Sequence, residues 1–215
     1  LNNLEYDHAD IFPDVEAIQR QFHHLVRTVP RRGRLVVNGH DERLREVLAM
    51  GCWTPVERFG LDASFEWSAR KLRDDGSMFA VMRAGEQLGI VEWPLLGDHN
   101  VLNGLAALAA CAAVGVDAAA IIPSLAAFSS VKRRMEVIGE RAGITLYDDF
   151  AHHPTAIATT LAAPPASWWR WNRAAIRCGW ERMPRRSPRR STSPMWWCSW
   201  PGRNCRGMRA RWSVH

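Results

Sequence analysis

The composition of this 215-residue chain changes sharply near position 163, and the change limits where a hydrophobic core can form. Residues 164–215, the tail, hold twelve of the 28 basic residues, a single acid (Glu181), eight of the eleven tryptophans and no leucine. Residues 1–163, the body, carry 16 basic and 21 acidic residues. Because cores are built mainly from aliphatic side chains, we expect only the body to fold as an ordinary domain.

The body alternates patterns typical of helices and strands, which predicts an α/β fold. Apolar residues at helical spacing predict a first helix that has Pro13 in its first turn. "RLVVNG" predicts a buried strand, and "DERLREVLAMG" predicts a helix capped by Asp41. Residues 53–93 predict two or three antiparallel strands. "GDHNVLNGLAALAACAAVGV" and "VDAAAIIPSLAAF" predict two helices, and a strand–strand–helix unit begins near residue 140.

The cysteines and the hydropathy pattern bound the class of protein. The five cysteines show no CxxC spacing, so the sequence predicts neither a zinc site nor a disulfide framework. The sequence contains no apolar run of about 18 residues and no signal-peptide pattern. We therefore expect a soluble, cytoplasmic body.

A first polar cluster lies in "EYDHADIFPD", after the end of a predicted strand. Asp7, His8 and Asp10 would stand at the carboxyl edge of an α/β sheet, where ligands usually bind. A histidine beside carboxylates can ligate Mg²⁺ or orient a phosphate. Loop capping by the same side chains remains an alternative.

A second polar cluster lies in "GDHNVLN" at the start of a predicted helix. Asn100 and Asn103 are three residues apart and therefore share a face of the first turn. A carboxamide both donates and accepts hydrogen bonds, as the edge of an adenine ring requires. Plain capping of the helix start is the alternative interpretation.

A third polar cluster extends from "VKRRMEVIG" to "YDDFAHHP". Its arginines could bind phosphate in a bidentate manner, its aspartates could accept hydrogen bonds from ribose, and its histidines precede a helix. The cluster contains Arg133, Arg134, Asp148, Asp149, His152 and His153. Three such clusters at predicted ligand edges together favour a nucleotide site.

The motifs "NLEYDHADIF", "GDHNVLNGLAALAA", "VKRRMEVIGE" and "YDDFAHHPTAI" resemble those of the Mur ligases of bacterial peptidoglycan synthesis, in the same order. The resemblance covers nearly all of the body and ends after Leu161. It implies part of the family's central ATP-binding domain over residues 1–136 and the start of a Rossmann-like C-terminal domain over residues 137–163. The tail would be a disordered, non-native segment.

The resemblance also implies an activity. It favours ATP-dependent joining of a murein tripeptide, L-Ala-γ-D-Glu-meso-diaminopimelate, to UDP-N-acetylmuramate through an acyl phosphate, in peptidoglycan recycling. Addition of L-alanine to UDP-N-acetylmuramate is the alternative. The implied cofactors are ATP and Mg²⁺, no nucleic-acid or membrane partner is expected, and the oligomeric state is left open.

By the same resemblance, each cluster receives a role. His8 would bind magnesium, Asn100 and Asn103 would bind adenine, and Asp149 would hold the ribose. Arg134 would contact phosphate, and His152 and His153 would lie on the side of the incoming amine.

The chain also departs from the family pattern. The 215 residues contain no GxxGK[ST] phosphate loop, and "FSSVKRR" has Ser129 and Ser130 where the family has a lysine–glycine pair. Without a phosphate loop and an intact third domain, the chain by itself is expected to lack ligase turnover.

Two origins of the tail are open. An Arg/Trp-rich segment can bind nucleic acid or a membrane surface, but this segment has no periodic face. The other origin is a shifted reading frame. Allowed codons for residues 172–181, read from one base earlier, encode Glu-Pro-Arg-Ser-Asn-Thr-Met-Arg-Met-Gly, which resembles a signature of the C-terminal domain of these ligases.

The second origin predicts the gene sequence. Adding or removing one base between codons 161 and 168 should restore a ligase reading frame through the region that now encodes the tail. Sequencing the coding DNA tests this. Stop codons or unrelated sequence in the alternative frame would contradict it.

Overall fold

The computed structural model of this protein describes residues 1–141, 144–162, 170–172 and 196–198. The chain divides into two units, Leu1–Pro165 and Ala166–His215. The first unit corresponds closely to the body.

The sheet of the body begins with a short strand flanked by two helices. Strand β1 spans Leu35–Asn38, between helix α1 (Val15–Thr28) and helix α2 (Glu42–Ala49). Each helix starts at an aspartate whose carboxylate accepts a backbone N–H of the first turn: Asp14 accepts from Ala17, and Asp41 accepts from Leu44. Such caps satisfy donors that have no partner within the helix.

Four more strands complete a five-stranded sheet of order β1-β2-β3-β4-β5. They are β2 (Val56–Gly60), β3 (Trp67–Lys71), β4 (Met78–Arg83) and β5 (Glu86–Glu92). Strands β1, β2 and β3 pair in parallel, whereas β3, β4 and β5 form an antiparallel meander. Residues 53–93 thus contain four strands, where the sequence predicted two or three antiparallel ones. The prediction was wrong for β2, which pairs in parallel on both sides.

The N-terminal segment continues the sheet beyond β1. The Leu1 amino group donates to the Val36 carbonyl at 2.7 Å, and the Asn38 N–H donates to the Leu1 carbonyl at 2.9 Å. This is the pattern of parallel pairing, so the residues that follow Leu1 leave the sheet at the carboxyl edge of β1.

Two helices cover one face of the sheet. Helix α3 spans Asp98–Ala113 and α4 spans Ala118–Ala126. Gly97, the N-cap of α3, has φ 88°, a conformation that favours glycine. Within α3, a Cβ on Gly104 would lie 3.0 Å from the Trp93 ring. The small residues of this helix thus permit its close approach to the Trp93 ring.

The body has two clusters of buried apolar side chains. The larger lies between the sheet and α3–α4 and contains Phe59, Trp67, Phe79, Val101, Leu105 and Leu108, all at most 1% exposed. The smaller contains Leu4, Val26, Val37, Leu44 and Val47, and it joins the N-terminal segment to α1, β1 and α2.

The remaining elements follow α4. Strands β6 (Glu136–Arg141) and β7 (Ile144–Asp148) form an antiparallel pair, followed by helix α5 (Pro154–Ala162). This is the predicted strand–strand–helix unit. The second unit contains β8 (Arg170–Asn172) and β9 (Trp196–Cys198), which pair in parallel. Apart from these two strands, the tail residues for which the sequence predicted disorder lie outside the described part of the chain.

The first helix begins at Val15, two residues after Pro13, which the sequence predicted to stand in its first turn. Pro13 precedes the N-cap Asp14, instead of standing in the first turn. The Asp14 side chain fixes the start of the helix because its carboxylate accepts the Ala17 N–H at 2.7 Å.

The buried face of α3 should dominate the stability of the body. Leu105 is fully buried, whereas Leu25 on α1 is 53% exposed. We expect Leu105→Ala to lower the free energy of unfolding by about 2–5 kcal/mol, through lost burial and the cavity left behind. The matched change Leu25→Ala should cost less than about 0.5 kcal/mol. Urea unfolding followed by circular dichroism measures both; equal effects would contradict this assignment of the core.

Candidate functional site

Two adjoining clefts bring the three predicted polar clusters together. The first has a volume of about 480 Å³ and is lined by Asn100, Asn103, Arg134 and Asp149, among others. The second, of about 660 Å³, is lined by Asn103, His8, His152 and His153, among others. All seven residues that received a role from the resemblance line one cleft or both, whereas the other cluster residues Asp10, Arg133 and Asp148 line neither.

The two clefts share a boundary made by α3 and α5. His99, Asn103, Ala156 and Thr159 line both of them. A ligand that extends from the first cleft into the second would pass the first turns of these two helices.

The asparagines stand at the start of α3. The Asn100 Nδ2 donates to the Leu96 carbonyl at 2.7 Å, and the Asn103 Oδ1 accepts from the Asn2 Nδ2 at 2.7 Å. Asn100 does not cap the helix, because it uses its amide N–H as a donor and the N-cap Gly97 makes no side-chain hydrogen bond; it lines the first cleft. Each amide keeps one hydrogen-bonding end that these contacts do not use.

An ion pair separates the roles of the two arginines. The Arg133 Nε lies 3.2 Å from the Asp148 Oδ2, and its guanidinium stands 5.1 Å from the centroid of the Phe150 ring. Arg134 lines the first cleft, and its side chain makes no ion pair within the described residues. The sequence alone could not separate these neighbours; the structure leaves Arg134 as the cation that faces the cleft.

Asp149 fixes the loop between β7 and α5. Its Oδ2 accepts the Met135 N–H at 2.8 Å, and its Oδ1 accepts the Ala151 N–H at 2.7 Å. Arg133 and Met135 adopt positive φ values of 60° and 52°, which cost energy for residues other than glycine. The carboxylate thus stabilises a strained turn and lines the cleft with its remaining lone pairs.

His8 stands at the rim of the second cleft. Its φ is 54°, and its Nε2 lies 4.0 Å from the Asp7 Oδ2, with both side chains more than half exposed. Among the described residues, no three His, Cys, Asp or Glu side chains are grouped closely enough to hold a metal ion. His8 and Asp7 therefore fit part of a magnesium site and do not complete one.

The two histidines before α5 are held differently. The His152 Nδ1 lies 3.0 Å from the Phe150 carbonyl oxygen. For His153, Nδ1 lies 3.3 Å from the Glu5 carboxylate and Nε2 lies 3.2 Å from the Tyr6 carbonyl oxygen. His153 is thus bound at both ring nitrogens, and His152 at one.

His99 was missed by the sequence analysis, although it lies in the quoted "GDHNVLN". It lines both clefts. Burial lowers its pKa, the nearby charge of Asp149 raises it, and that of Arg134 lowers it again. Its spacing of four residues from Asn103 places both on one helical face, a signal that could have identified it.

Two family models match the chain. The Mur ligase middle domain matches residues 1–111, and the Mur ligase, glutamate ligase domain matches residues 133–187. The first match alone covers more than half of the chain.

The chain belongs to the Mur ligase family.

The second match extends beyond Leu161 into the tail, further than the motifs do. The relatives of this chain include two kinds of Mur ligase, and the identities with them differ. The chain is 52% identical over 163 residues to the UDP-N-acetylmuramate–L-alanyl-γ-D-glutamyl-meso-2,6-diaminoheptandioate ligase of Escherichia coli K12, covering 76% of this chain and 35% of the relative. It is 34% identical over 163 residues to the UDP-N-acetylmuramate–L-alanine ligase of Desulfitobacterium hafniense Y51, covering 75% and 36%. The chain thus spans about a third of the length of these relatives.

A solved structure agrees with this Mur ligase assignment. The murein peptide ligase of Psychrobacter arcticus 273-4 is 44% identical, with a TM-score of 0.59, over 75% of this chain and 33% of that one.

Within the described residues, no helix is long and apolar enough to cross a membrane.

The surroundings of the His99 side chain predict a lowered pKa. Its pKa should lie below the ordinary value of 6.5, mainly because burial disfavours the charged ring. Because the folded pKa is depressed, His99 contributes stability above its unfolded pKa, and that contribution is lost as the pH falls through the acidic range.

Two substitutions should move the His99 pKa in opposite directions. Asp149→Asn should lower it further and Arg134→Gln should raise it, while the control Asp148→Asn should leave it unchanged. NMR titration of the ring protons measures all three; shifts of the same sign for the first two would contradict the arrangement.

Proposed function

We propose that this chain carries the nucleotide side of a Mur ligase that joins a murein tripeptide to UDP-N-acetylmuramate with ATP. The observation that carries the proposal is the convergence of all three polar clusters on two adjoining clefts. The Mur ligase family uses ATP, typically with Mg²⁺.

In the first cleft, the donors and acceptors fit a nucleoside with phosphates. The uncommitted amide ends of Asn100 and Asn103 suit the edge of adenine, which needs both a donor and an acceptor. Asp149 offers carboxylate lone pairs to ribose hydroxyls. Arg134 supplies a planar cation suited to phosphate oxygens.

In the second cleft, His8 would supply one ligand to magnesium, which would neutralise phosphate charge when bound. His8 and Asp7 alone do not enclose a hard cation that prefers six oxygen-rich ligands. The remaining ligands would come from ATP, water or other parts of the enzyme.

His152 is suited to contact the incoming amine of the peptide. Because its Nδ1 faces the Phe150 carbonyl, which only accepts, that nitrogen carries the proton in the neutral ring. The lone pair then lies on Nε2, which can accept a proton or a hydrogen bond from an amine.

The relatives support the tripeptide as the peptide substrate. Identity is 52% with a relative named for the tripeptide and 34% with one named for L-alanine. L-Alanine addition remains the second candidate because both relatives are similar over about the same length of chain. We also propose a cytoplasmic location, domain boundaries at residues 136/137 and 163/164, and a reading-frame origin of the tail.

The arginine doublet provides a matched test of nucleotide binding. Arg134→Gln should weaken ADP binding by about 10- to 100-fold, since a hydrogen bond to a charged group contributes about 1.5–3 kcal/mol. Arg133→Gln, which removes the same charge from the ion pair with Asp148, should change affinity by less than about threefold. Isothermal titration calorimetry or NMR shift perturbation on the 215-residue chain measures both, with circular dichroism as a folding check. Equal losses, or no binding by the unmodified chain at millimolar ADP, would overturn the assignment.

A further inference from the structure

A polar cluster joins the N-terminal segment to the start of α5. It consists of Glu5, Tyr6, His153 and Thr155, and we call it the Glu5 cluster. The Glu5 Oε2 accepts a hydrogen bond from the Thr155 Oγ1 at 2.5 Å and lies 3.3 Å from the His153 Nδ1. The contacts connect residues about 150 positions apart in sequence, so the cluster ties together the two ends of the body.

Both ring nitrogens of His153 face groups of the N-terminal segment. Nε2 lies 3.2 Å from the Tyr6 carbonyl oxygen, and Nδ1 lies 3.3 Å from the Glu5 carboxylate. The ring is therefore held from two sides by residues far away in the sequence.

The Glu5 cluster is more than a surface ion pair. The side chains of His153 and Glu5 are 23% and 29% exposed, and the carboxylate serves two partners at once. Partial shielding from water strengthens such contacts relative to fully exposed pairs, which contribute little. The partners of Glu5 are the residue before α5 and a residue of its first turn, so the carboxylate fixes where the helix begins.

The position of His152 depends on the same contacts. It is adjacent to His153, its side chain is exposed, and it lines the second cleft. Its own contacts are the Phe150 carbonyl and an edge-to-face contact with the Phe150 ring, whose centroid lies 5.0 Å away. A shift of the α5 start relative to the N-terminal segment would therefore move His152 within the cleft.

We propose that Glu5 is a positioning residue, which holds His153 and the first turn of α5 and thereby sets the place of His152 at the second cleft. The proposal rests on the proposed function for the chemistry of His152. The contacts of Glu5 can be tested with no ligand present, so the two proposals can fail separately.

A double-mutant cycle read by amide hydrogen exchange tests the pair. The Ile157 N–H donates to the His153 carbonyl at 2.9 Å and reports on the first turn of α5. Glu5→Ala and His153→Ala should each accelerate exchange at Ile157 by about tenfold or more. The double variant should exchange no faster than about the faster single variant, because both changes break the same interaction.

Amide exchange at Ile157 also serves for the control variant. Glu42→Ala removes a carboxylate from an exposed ion pair with Arg45 and should alter exchange at Ile157 by less than twofold. If the factors of Glu5→Ala and His153→Ala simply multiply in the double variant, the two residues act independently and the proposal is wrong.

A spectroscopic readout separates positioning from general stabilisation. Glu5→Gln keeps the size and an oxygen acceptor but loses the charge, so the hydrogen bond from Thr155 can persist while the contact with His153 weakens. Ring ¹⁵N NMR should show that Glu5→Gln shifts the ring signals of His153 and of the neighbouring His152. Unchanged His152 signals would overturn the positioning role. ADP binding, measured separately, bears only on the proposed function.

Discussion

Helix α3 contributes to both the core and the first cleft, and the rest of the body depends on how it packs. Val101, Leu105 and Leu108 lie on its buried face against the sheet, with at most 1% exposure. The first two turns of the same helix present Asn100 and Asn103 to the first cleft. Because the apolar face fixes the rotation of the helix about its axis, it also fixes the direction in which the polar face points. Burial of three aliphatic side chains therefore orients the asparagines without any ligand.

The third cluster contains two pairs of adjacent like residues, an arginine pair and an aspartate pair, and in each pair one member makes an ion pair while the other lines the first cleft. Arg133 and Asp148, one from each of two doublets, pair with each other across the β6–β7 hairpin. Their neighbours Arg134 and Asp149 line the first cleft. Neighbouring side chains in extended or turning backbone point in different directions, so an ion pair that holds one member helps to direct the other. A doublet in the sequence thus supplies one structural and one cleft-facing residue.

Much of the fold could be predicted from local sequence signals, whereas the pairing of strands far apart in the sequence could not. The carboxylate of Asp41 caps α2 as its position in the sequence indicated, because capping involves residues three apart. The parallel pairing of β2 was not predicted, because its pairing with β1 and β3 is set by the tertiary fold. The resemblance of short motifs identified the cleft residues, but residue type could not distinguish Arg133 from Arg134. That distinction depends on which guanidinium meets Asp148, a contact made 15 residues away in sequence.

The histidines show why a motif alone does not assign chemistry. His152 and His153 are the same residue type, yet within the described part of the chain one ring meets a polar group at a single nitrogen and the other at both. The difference arises from Glu5 and the Tyr6 carbonyl, which come from the opposite end of the body. His99 is the converse case, since burial and the charges of Asp149 and Arg134 act on its pKa although the sequence analysis did not single it out. The chemistry of each histidine thus depends on the groups around its ring, and for His153 the N-terminal segment provides them.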